Sequence, residues 1–186
     1  MARCGPMRSL YPENSCGGFT RNDGTVAFFV RVNALITRES TVLDVGCGRG
    51  ESSADTVAAR RRLRELRGKC AHVVGIDVDP AAASDPLVDE FRLGDGPGWS
   101  VAHQSMDLCL VDNVLEHVVD LDSFLRQCHR VLAPGGKLCV RTPNARGYAA
   151  VLATIVPGAA YALGVAWTHV LPATLQDTLL AFATRV

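Results

Sequence analysis

The residues best placed to do chemistry lie at positions 42–50, which read V-L-D-V-G-C-G-R-G. Gly46 and Gly48 allow the backbone to turn sharply and to approach a ligand closely. A dinucleotide site has the spacing G-x-G-x-x-G and binds a pyrophosphate at a helix N-terminus, but Glu51 stands here in place of the third glycine. Asp44 adds a second acid two residues before Gly46. Two carboxylates repel a pyrophosphate, so the segment favours a ligand with a cationic end and no phosphate.

Short apolar strands alternate with helices along the chain and would hold this loop in place. The sequence predicts strands over residues 41–45, 71–77, 106–111 and 137–142, and a weaker strand over 90–93. Helices are predicted over 26–36 and 52–67, and a third, capped by Asp120 or Asp122, ends before the turn at 134–136. This alternation is typical of parallel βαβ units, whose right-handed crossovers place helices on both faces of the sheet. The predicted fold class is α/β, a Rossmann-like, doubly wound and mostly parallel sheet.

The composition excludes several classes of protein. The chain has 186 residues, enough for one domain with a buried core. Lys and Arg number 19, as do Asp and Glu, so no net charge would attract nucleic acid, and none is expected as a partner. The seven cysteines include no C-x-x-C pair, so no metal site is predicted and a reducing cytoplasm is the expected compartment. A basic run at 60–69 has no interleaved aromatic residues and is interpreted as a solvated helix face.

Four blocks of sequence, in order, resemble class I S-adenosylmethionine-dependent methyltransferases. They are residues 42–50, the strand V-V-G-I-D that ends at Asp77, D-L-C-L-V-D-N-V-L-E-H at 107–117, and L-A-P-G-G-K-L at 132–138. The set most resembles the small-molecule branch of the ubiquinone- and menaquinone-biosynthesis type. The resemblance covers residues 41–142. It implies S-adenosylmethionine as the cofactor and methyl transfer by in-line displacement to a small-molecule or lipid-like acceptor.

The resemblance also implies roles for individual residues. The cofactor-binding set comprises Asp44, Gly46, Cys47, Gly48, Asp77, Asp95, Asp112 and Asn113. The last two of these would lie beside the methyl group. Asp44 and the backbone of 46–48 would hold the methionyl end, where an acid opposes the ammonium. Asp77 would accept hydrogen bonds from the ribose hydroxyls, and Asp95 corresponds to the acid that contacts the adenine amino group.

The sequence shows no unambiguous catalytic base. Glu116 and His117 resemble the Glu-His pair that follows the fourth strand in this branch, where its usual role is helix packing and loop order. His117 is therefore only a weak candidate. A base helps a hydroxyl acceptor, whereas an activated carbon or a neutral amine needs little such help. The acceptor pocket is expected near the segment 19–29 or after the fifth strand, at 141–144.

The chain divides by composition into three parts. Residues 1–24 are predicted to be irregular, 25–146 to form the methyltransferase core, and 147–186 to form an apolar C-terminal segment. Residues 147–171 contain no charged side chain, and three interpretations are open: the end of the domain, a membrane-contacting tail, or an abbreviated end that leaves the sheet incomplete. A monomer and a homodimer are both open, and membrane association is the alternative to a cytoplasmic location.

The predicted function is thus an S-adenosylmethionine-dependent methyltransferase. The alternative is a degenerate member of the same family that binds the cofactor, or a partner, without turnover. A nicotinamide-linked oxidoreductase is disfavoured by the positions of Asp44 and Glu51.

Overall fold

The computed structural model describes residues 11–94, 98–143 and 178–184. Within these ranges the strands are β1 (Thr41–Val45), β2 (His72–Asp77), β3 (Glu90–Leu93), β4 (Met106–Asp112), β5 (Leu132–Pro143) and β6 (Thr178–Thr184). The α-helices are α1 (Gly24–Leu35), α2 (Ala58–Arg64) and α3 (Leu121–Val131). Short 3-10 helices cover Pro12–Ser15, Glu51–Ala54, Pro80–Ser84 and Leu115–His117.

The strands form one sheet in the order β3-β2-β1-β4-β5-β6. The first five strands are parallel, and β6 is antiparallel to β5, with Lys137 opposite Thr184 and Pro143 opposite Thr178. The mostly parallel α/β sheet predicted from the sequence is therefore confirmed. β6 lies within the C-terminal segment 147–186, for which the sequence left three interpretations open.

The apolar stretch 147–171 lies outside the described residues. In the ranges that the structure does describe, no helix has the length and apolar character needed to cross a membrane.

Helices cover both faces of the sheet, because successive strand residues point in opposite directions. Val42 packs in one apolar cluster with Phe28 and Phe29 of α1, which are 0% and 3% exposed. Leu43, the next residue of β1, belongs to a second cluster that contains Val131 of α3. Burying a side chain of this size contributes about 1.5–3 kcal/mol. Phe28 and Phe29 are thus core residues, and Phe29 also borders a cavity of about 60 Å³. The acceptor pocket expected near 19–29 stays a prediction.

The single helix predicted over 52–67 is wrong, because the chain forms a 3-10 turn and then α2. Asp55 lies at the break, where its carboxylate accepts a hydrogen bond from Val57 N at 2.8 Å. The same carboxylate binds Arg60 Nε at 2.5 Å and Nη2 at 2.9 Å, and Arg60 Nη1 reaches Asp23 at 2.8 Å. A side chain that bonds the backbone two residues on competes with helical hydrogen bonding, so α2 begins only after Asp55.

The interpretation of the basic run 60–69 as a solvated helix face is also wrong in part. Arg60 and Arg64 are only 27% and 29% exposed, and both face acidic side chains. Arg67 binds Asp89 at 2.6 Å from a more exposed position. These cations serve contacts within the chain.

The fifth strand is longer than its prediction over 137–142. It begins at Leu132, directly after α3, and pairs with Met106 before the register shifts. The predicted turn at 134–136 is therefore accommodated inside the strand as an irregularity, with Gly135 at a φ of 80°. The strands predicted at 41–45 and 90–93 have the bounds observed for β1 and β3.

Asp120, and not Asp122, caps α3, because its carboxylate accepts a hydrogen bond from Ser123 N at 2.9 Å. We predict that Asp120→Ala lowers the free energy of unfolding by about 1 kcal/mol. Asp122→Ala is the matched control, since Asp122 is 81% exposed and pairs only with Arg126 on the helix surface; its expected effect is below about 0.5 kcal/mol. Urea unfolding of both variants measures the difference, and equal losses would contradict the capping role.

Candidate functional site

The candidate site lies where the strand order reverses, between β1 and β4. The chain leaves β1 toward β2 and β3 and then crosses back to β4. Loops that leave the carboxyl ends of such neighbouring strands diverge and open a crevice, which is where open α/β sheets bind ligands. The predicted acids Asp44, Asp77 and Asp112 all lie on strands that border this crevice.

The glycine loop after β1 is tightly constrained. Gly46 and Gly48 have φ angles of 69° and 68°, a region that favours glycine. A Cβ on Gly46 would also collide with Cγ2 of Val114 in the loop after β4. Gly46 N donates to Ile76 O at 2.7 Å, which draws the loop over the end of β2. The two glycines therefore let the loop backbone pack closely against Val114 while Gly46 borders the crevice.

Cys47, between the two glycines, is a packing residue. Its Sγ would lie 2.8 Å from a Cβ on Gly75, so the thiol fills the space that this glycine of β2 leaves open. Burial raises the pKa of Cys47 to about 12. The thiol consequently stays protonated at neutral pH and is no nucleophile.

Asp77, at the end of β2, fastens the glycine loop. Its Oδ2 accepts a hydrogen bond from Gly48 N at 2.9 Å, and its Oδ1 accepts one from Asp79 N at 2.9 Å. A carboxylate has about four acceptor positions, so two backbone bonds leave capacity for a ligand. The residue predicted to contact ribose hydroxyls thus also orders the loop.

Asp44 has an unusual position for an acid. It lies in the second strand position from the end of β1, on the same face as Val42, and no donor among the described residues forms a hydrogen bond to its carboxylate. The group lies deep, yet part of it borders a cavity of about 60 Å³. Removal from water, together with the negative charges of Asp112 and Asp85, raises the pKa of Asp44 to about 8, against the opposing effect of Arg64.

Asp112, at the end of β4, is held by a cation that the sequence prediction missed. Arg141 of β5 binds it through Nε at 2.5 Å and Nη2 at 2.7 Å. The same guanidinium donates to Thr25 Oγ1 at 2.5 Å and lies 5.6 Å from the centre of the Phe28 ring. Arg141 is only 6% exposed, so this network ties α1 to the ends of β4 and β5. The sequence signal that could have indicated this contact was the single arginine within the apolar run 138–142.

Asn113 follows Asp112 in a left-handed conformation, with a φ of 56°. Its backbone N–H donates to Arg141 O at 2.8 Å, and its Nδ2 donates to Asp112 Oδ1 at 3.2 Å. Its side chain is exposed at the crevice. Asn tolerates this conformation better than most residues, which explains its place at the turn that leaves β4.

A second cavity, of about 240 Å³, lies on the other side of Gly46. Its wall is mainly apolar and includes Ile76, Val78, Trp99, Val114, His117 and Phe124, with Asp77 at its edge. The Trp99 and Phe124 rings pack edge to face with their centres 5.4 Å apart. No sequence pattern pointed to Trp99, because the loop that carries it matches no motif.

His117 and Glu116 have different surroundings. His117 is exposed on the wall of the second cavity. Glu116 Oε2 accepts a hydrogen bond from Thr142 Oγ1 at 2.9 Å and so ties the loop after β4 to β5. Asp95, the remaining predicted acid, lies outside the described residues. Within the described part of the chain, no group of three His, Cys, Asp or Glu side chains is placed to hold a metal ion.

Comparison with known proteins gives a consistent result. Residues 21–176 match the model of a family described as "Methyltransferase domain". A ubiquinone biosynthesis O-methyltransferase of Rhizobium johnstonii is 35% identical over 149 residues, covering 80% of this chain and 56% of the relative. A Mycolicibacterium smegmatis protein named "probable S-adenosylmethionine-dependent methyltransferase" is 36% identical over 110 residues, covering 55% of this chain and 38% of the relative. The chain thus spans about two fifths to just over half of the length of these two curated relatives.

Solved structures share the fold. The YcgJ protein of Bacillus subtilis aligns with a TM-score of 0.52 and 19% identity, over 70% of this chain and 54% of that one. The [4+2]-cyclase SpnF aligns with a TM-score of 0.50 and 22% identity, over 63% of this chain and 44% of that one. Likeness at this level of identity shows the architecture alone.

The raised pKa of Asp44 has a consequence for stability. The folded protein holds a proton on Asp44 up to about pH 8, whereas an unfolded chain releases it near the ordinary value of 3.8. The folded state therefore binds more protons in this window, and its stability falls as pH rises through it. We predict that Asp44→Asn removes this loss, so the variant gains stability relative to the native protein by up to about 1.4 kcal/mol per pH unit.

Chemical denaturation between pH 5 and pH 9 measures this difference. Asp122→Asn, on the exposed surface of α3, is the control and should follow the native curve. If the Asp44→Asn curve ran parallel to the native one across the range, Asp44 would titrate normally and this description of the site would be wrong.

Proposed function

The chain belongs to the methyltransferase-domain family, and from this premise we propose that it is an S-adenosylmethionine-dependent methyltransferase with a small-molecule or lipid-like acceptor. The observation that carries the proposal is Asp44, whose carboxyl group lies deep in the crevice with no hydrogen-bond donor among the described residues. Burial makes its charged form costly, so the free protein keeps this acid protonated near neutral pH. A ligand with a cationic group would provide the missing partner.

The described residues fit this cofactor. The ammonium of its amino-acid end suits Asp44, and the backbone of Gly46 borders both cavities, which provides room for a ligand beside it. Asp77 keeps acceptor positions for hydroxyl groups. The apolar cavity of about 240 Å³ next to Asp77 suits an aromatic base. The proposed binding set is therefore Asp44, Gly46, Cys47, Gly48 and Asp77, with the Cys47 contribution made by its backbone.

Two other residues of the predicted set take modified roles in the proposal. Both carboxylate oxygens of Asp112 are bonded to Arg141, so Asp112 would shape the crevice, while its remaining acceptor positions keep it in the predicted cofactor-binding set. Asn113, exposed beside it, keeps its proposed place next to the methyl group. The contact of Asp95 with the adenine amino group stays a prediction.

When bound, S-adenosylmethionine supplies a methyl group on a positively charged sulfur that leaves as a neutral thioether. The protein's contribution is then mainly to position the acceptor and to exclude water. The Arg141 network serves this role, because it holds α1 against the ends of β4 and β5 at the mouth of the crevice. Ordered walls keep the reacting groups in one geometry.

An oxygen acceptor is supported by the relatives named as O-methyltransferases. A hydroxyl acceptor gains from a base within hydrogen-bond reach. His117 is the candidate, because its ring is exposed on the wall of the larger cavity, whereas Glu116 is engaged by Thr142. A cytoplasmic location is proposed on the cysteines, since the six that are described are all free thiols.

Calorimetric titration tests the proposed cofactor. We predict that the protein binds S-adenosylmethionine and S-adenosylhomocysteine and does not bind NADH. The carboxylates of Glu51 and Asp77, both bonded to the backbone of the glycine loop, repel the pyrophosphate of NADH, whereas the adenosine cofactors carry none. Binding of NADH alone, or of none of the three, would overturn the proposal.

Asp77→Asn tests the role of the acid at the end of β2. We predict that it weakens S-adenosylhomocysteine binding by about 1–3 kcal/mol, because an amide offers one acceptor oxygen where the carboxylate offers two. Asp107→Asn is the matched control. Asp107 also accepts a backbone hydrogen bond, from Thr41 N at 2.8 Å, but this contact lies at the N-terminal ends of β1 and β4, away from the site. An unchanged affinity for Asp77→Asn, or equal losses in both variants, would contradict the assigned role.

A further inference from the structure

Arg64 is a cation at the candidate site that forms an ion pair but no hydrogen bond with the described residues. It is the last residue of α2, and its side chain is 29% exposed. Its Nη2 lies 3.7 Å from Asp112 Oδ2, which is a charge contact beyond hydrogen-bond length. Both oxygens of Asp112 are already bonded to Arg141 at 2.5 and 2.7 Å. Among the described residues, no acceptor within hydrogen-bond distance is found for the Arg64 guanidinium.

The guanidinium nevertheless has a fixed place. It lies over the ring of Phe29, with the Cζ atom 5.6 Å from the ring centre, a stacking that holds arginine side chains in position. Phe29 is itself 3% exposed and anchored in the core. Arg64 is thus held at the wall of the site, with hydrogen-bond donors to spare.

Arg64 lines the same cavity of about 60 Å³ as Asp44. No ion pair within 4 Å joins the two side chains in the described part of the chain, although their charges attract. The other acids of the cavity wall each accept a hydrogen bond, Asp85 Oδ1 from Leu87 N at 2.8 Å and Asp112 from Arg141. Among the described residues, Asp44 has no hydrogen-bond donor and the Arg64 guanidinium has no hydrogen-bond acceptor.

This pair is complementary to a zwitterion. An amino-acid end carries an ammonium, which suits the Asp44 carboxylate, and a carboxylate, which suits the fork of donors on a guanidinium. Resting on the function proposed above, we infer that Arg64 binds the carboxylate of the cofactor's amino-acid end while Asp44 faces its ammonium. The site then selects ligands with a free, doubly charged amino-acid end. Arg64 lies outside all four blocks of the sequence resemblance.

Three adenosine ligands separate this role from a general effect on the site. S-adenosylhomocysteine carries the full amino-acid end, its methyl ester lacks the carboxylate charge, and 5′-methylthioadenosine lacks the amino-acid end. For the native protein we expect S-adenosylhomocysteine to bind about 10- to 100-fold more tightly than the methyl ester, as expected for loss of a charged hydrogen bond.

Arg64→Gln should remove that preference. Its affinity for S-adenosylhomocysteine should fall about 10- to 100-fold, while its affinity for 5′-methylthioadenosine stays unchanged and shows that the variant is folded. Arg64→Lys, which keeps the charge and loses the fork, should give an intermediate loss. Arg62→Gln, on the exposed side of the same helix, is the matched control and should bind all three ligands as the native protein does.

Calorimetry on the full chain gives distinct outcomes. An equal loss for all three ligands in Arg64→Gln would show a structural role and overturn the inference, as would a native preference for S-adenosylhomocysteine that survives the substitution. Failure of the native protein to bind any of the three would instead contradict the proposed function itself.

Discussion

The structure depends on one acid, Asp44, whose carboxyl group has no hydrogen-bond donor in the described part of the sheet. β1 lies between β2 and β4, at the point where the strand order reverses, so the end of β1 opens into the crevice. Asp44 interrupts an apolar strand at this point, and its carboxylate has no hydrogen-bond donor among the described residues. Folding alone would favour an apolar side chain here. The acid makes physical sense as half of an interaction that a cationic ligand completes.

The surrounding contacts keep that acid unpaired. Arg141 binds both oxygens of Asp112 and also donates to Thr25 of α1. These bonds direct its guanidinium toward Asp112 and Thr25 and not toward Asp44. Asp77 holds the glycine loop through Gly48 N and keeps the backbone open at the crevice. Paired charges and one acid without a partner among the described residues therefore lie side by side. Sites of this kind give up stability in exchange for binding.

Local sequence patterns were sufficient for the first five strands but not for β6 or for the contacts across the sheet. The strands at 41–45 and 90–93 follow from apolar runs bounded by turn residues, and the acids that end β2 and β4 follow from the family resemblance. The interruption of the predicted helix at Asp55 was missed, because the hydrogen bond from Val57 N to the Asp55 carboxylate depends on the folded context. That bond competes with the helical hydrogen bonds that the sequence pattern predicts. The pair of Asp112 and Arg141 joins residues 29 apart in sequence, which no local pattern connects.

The most direct test of this account is the pKa of Asp44 in the free and ligand-bound protein. NMR titration of the aspartate carboxyl carbons measures it, with Asp44→Asn to assign the signal. We expect a pKa of about 8 for Asp44 in the free protein and a lower value with S-adenosylhomocysteine bound, because a neighbouring ammonium favours the ionised form. An ordinary value of about 3.9 in the free protein, or a pKa that does not move on binding, would contradict it.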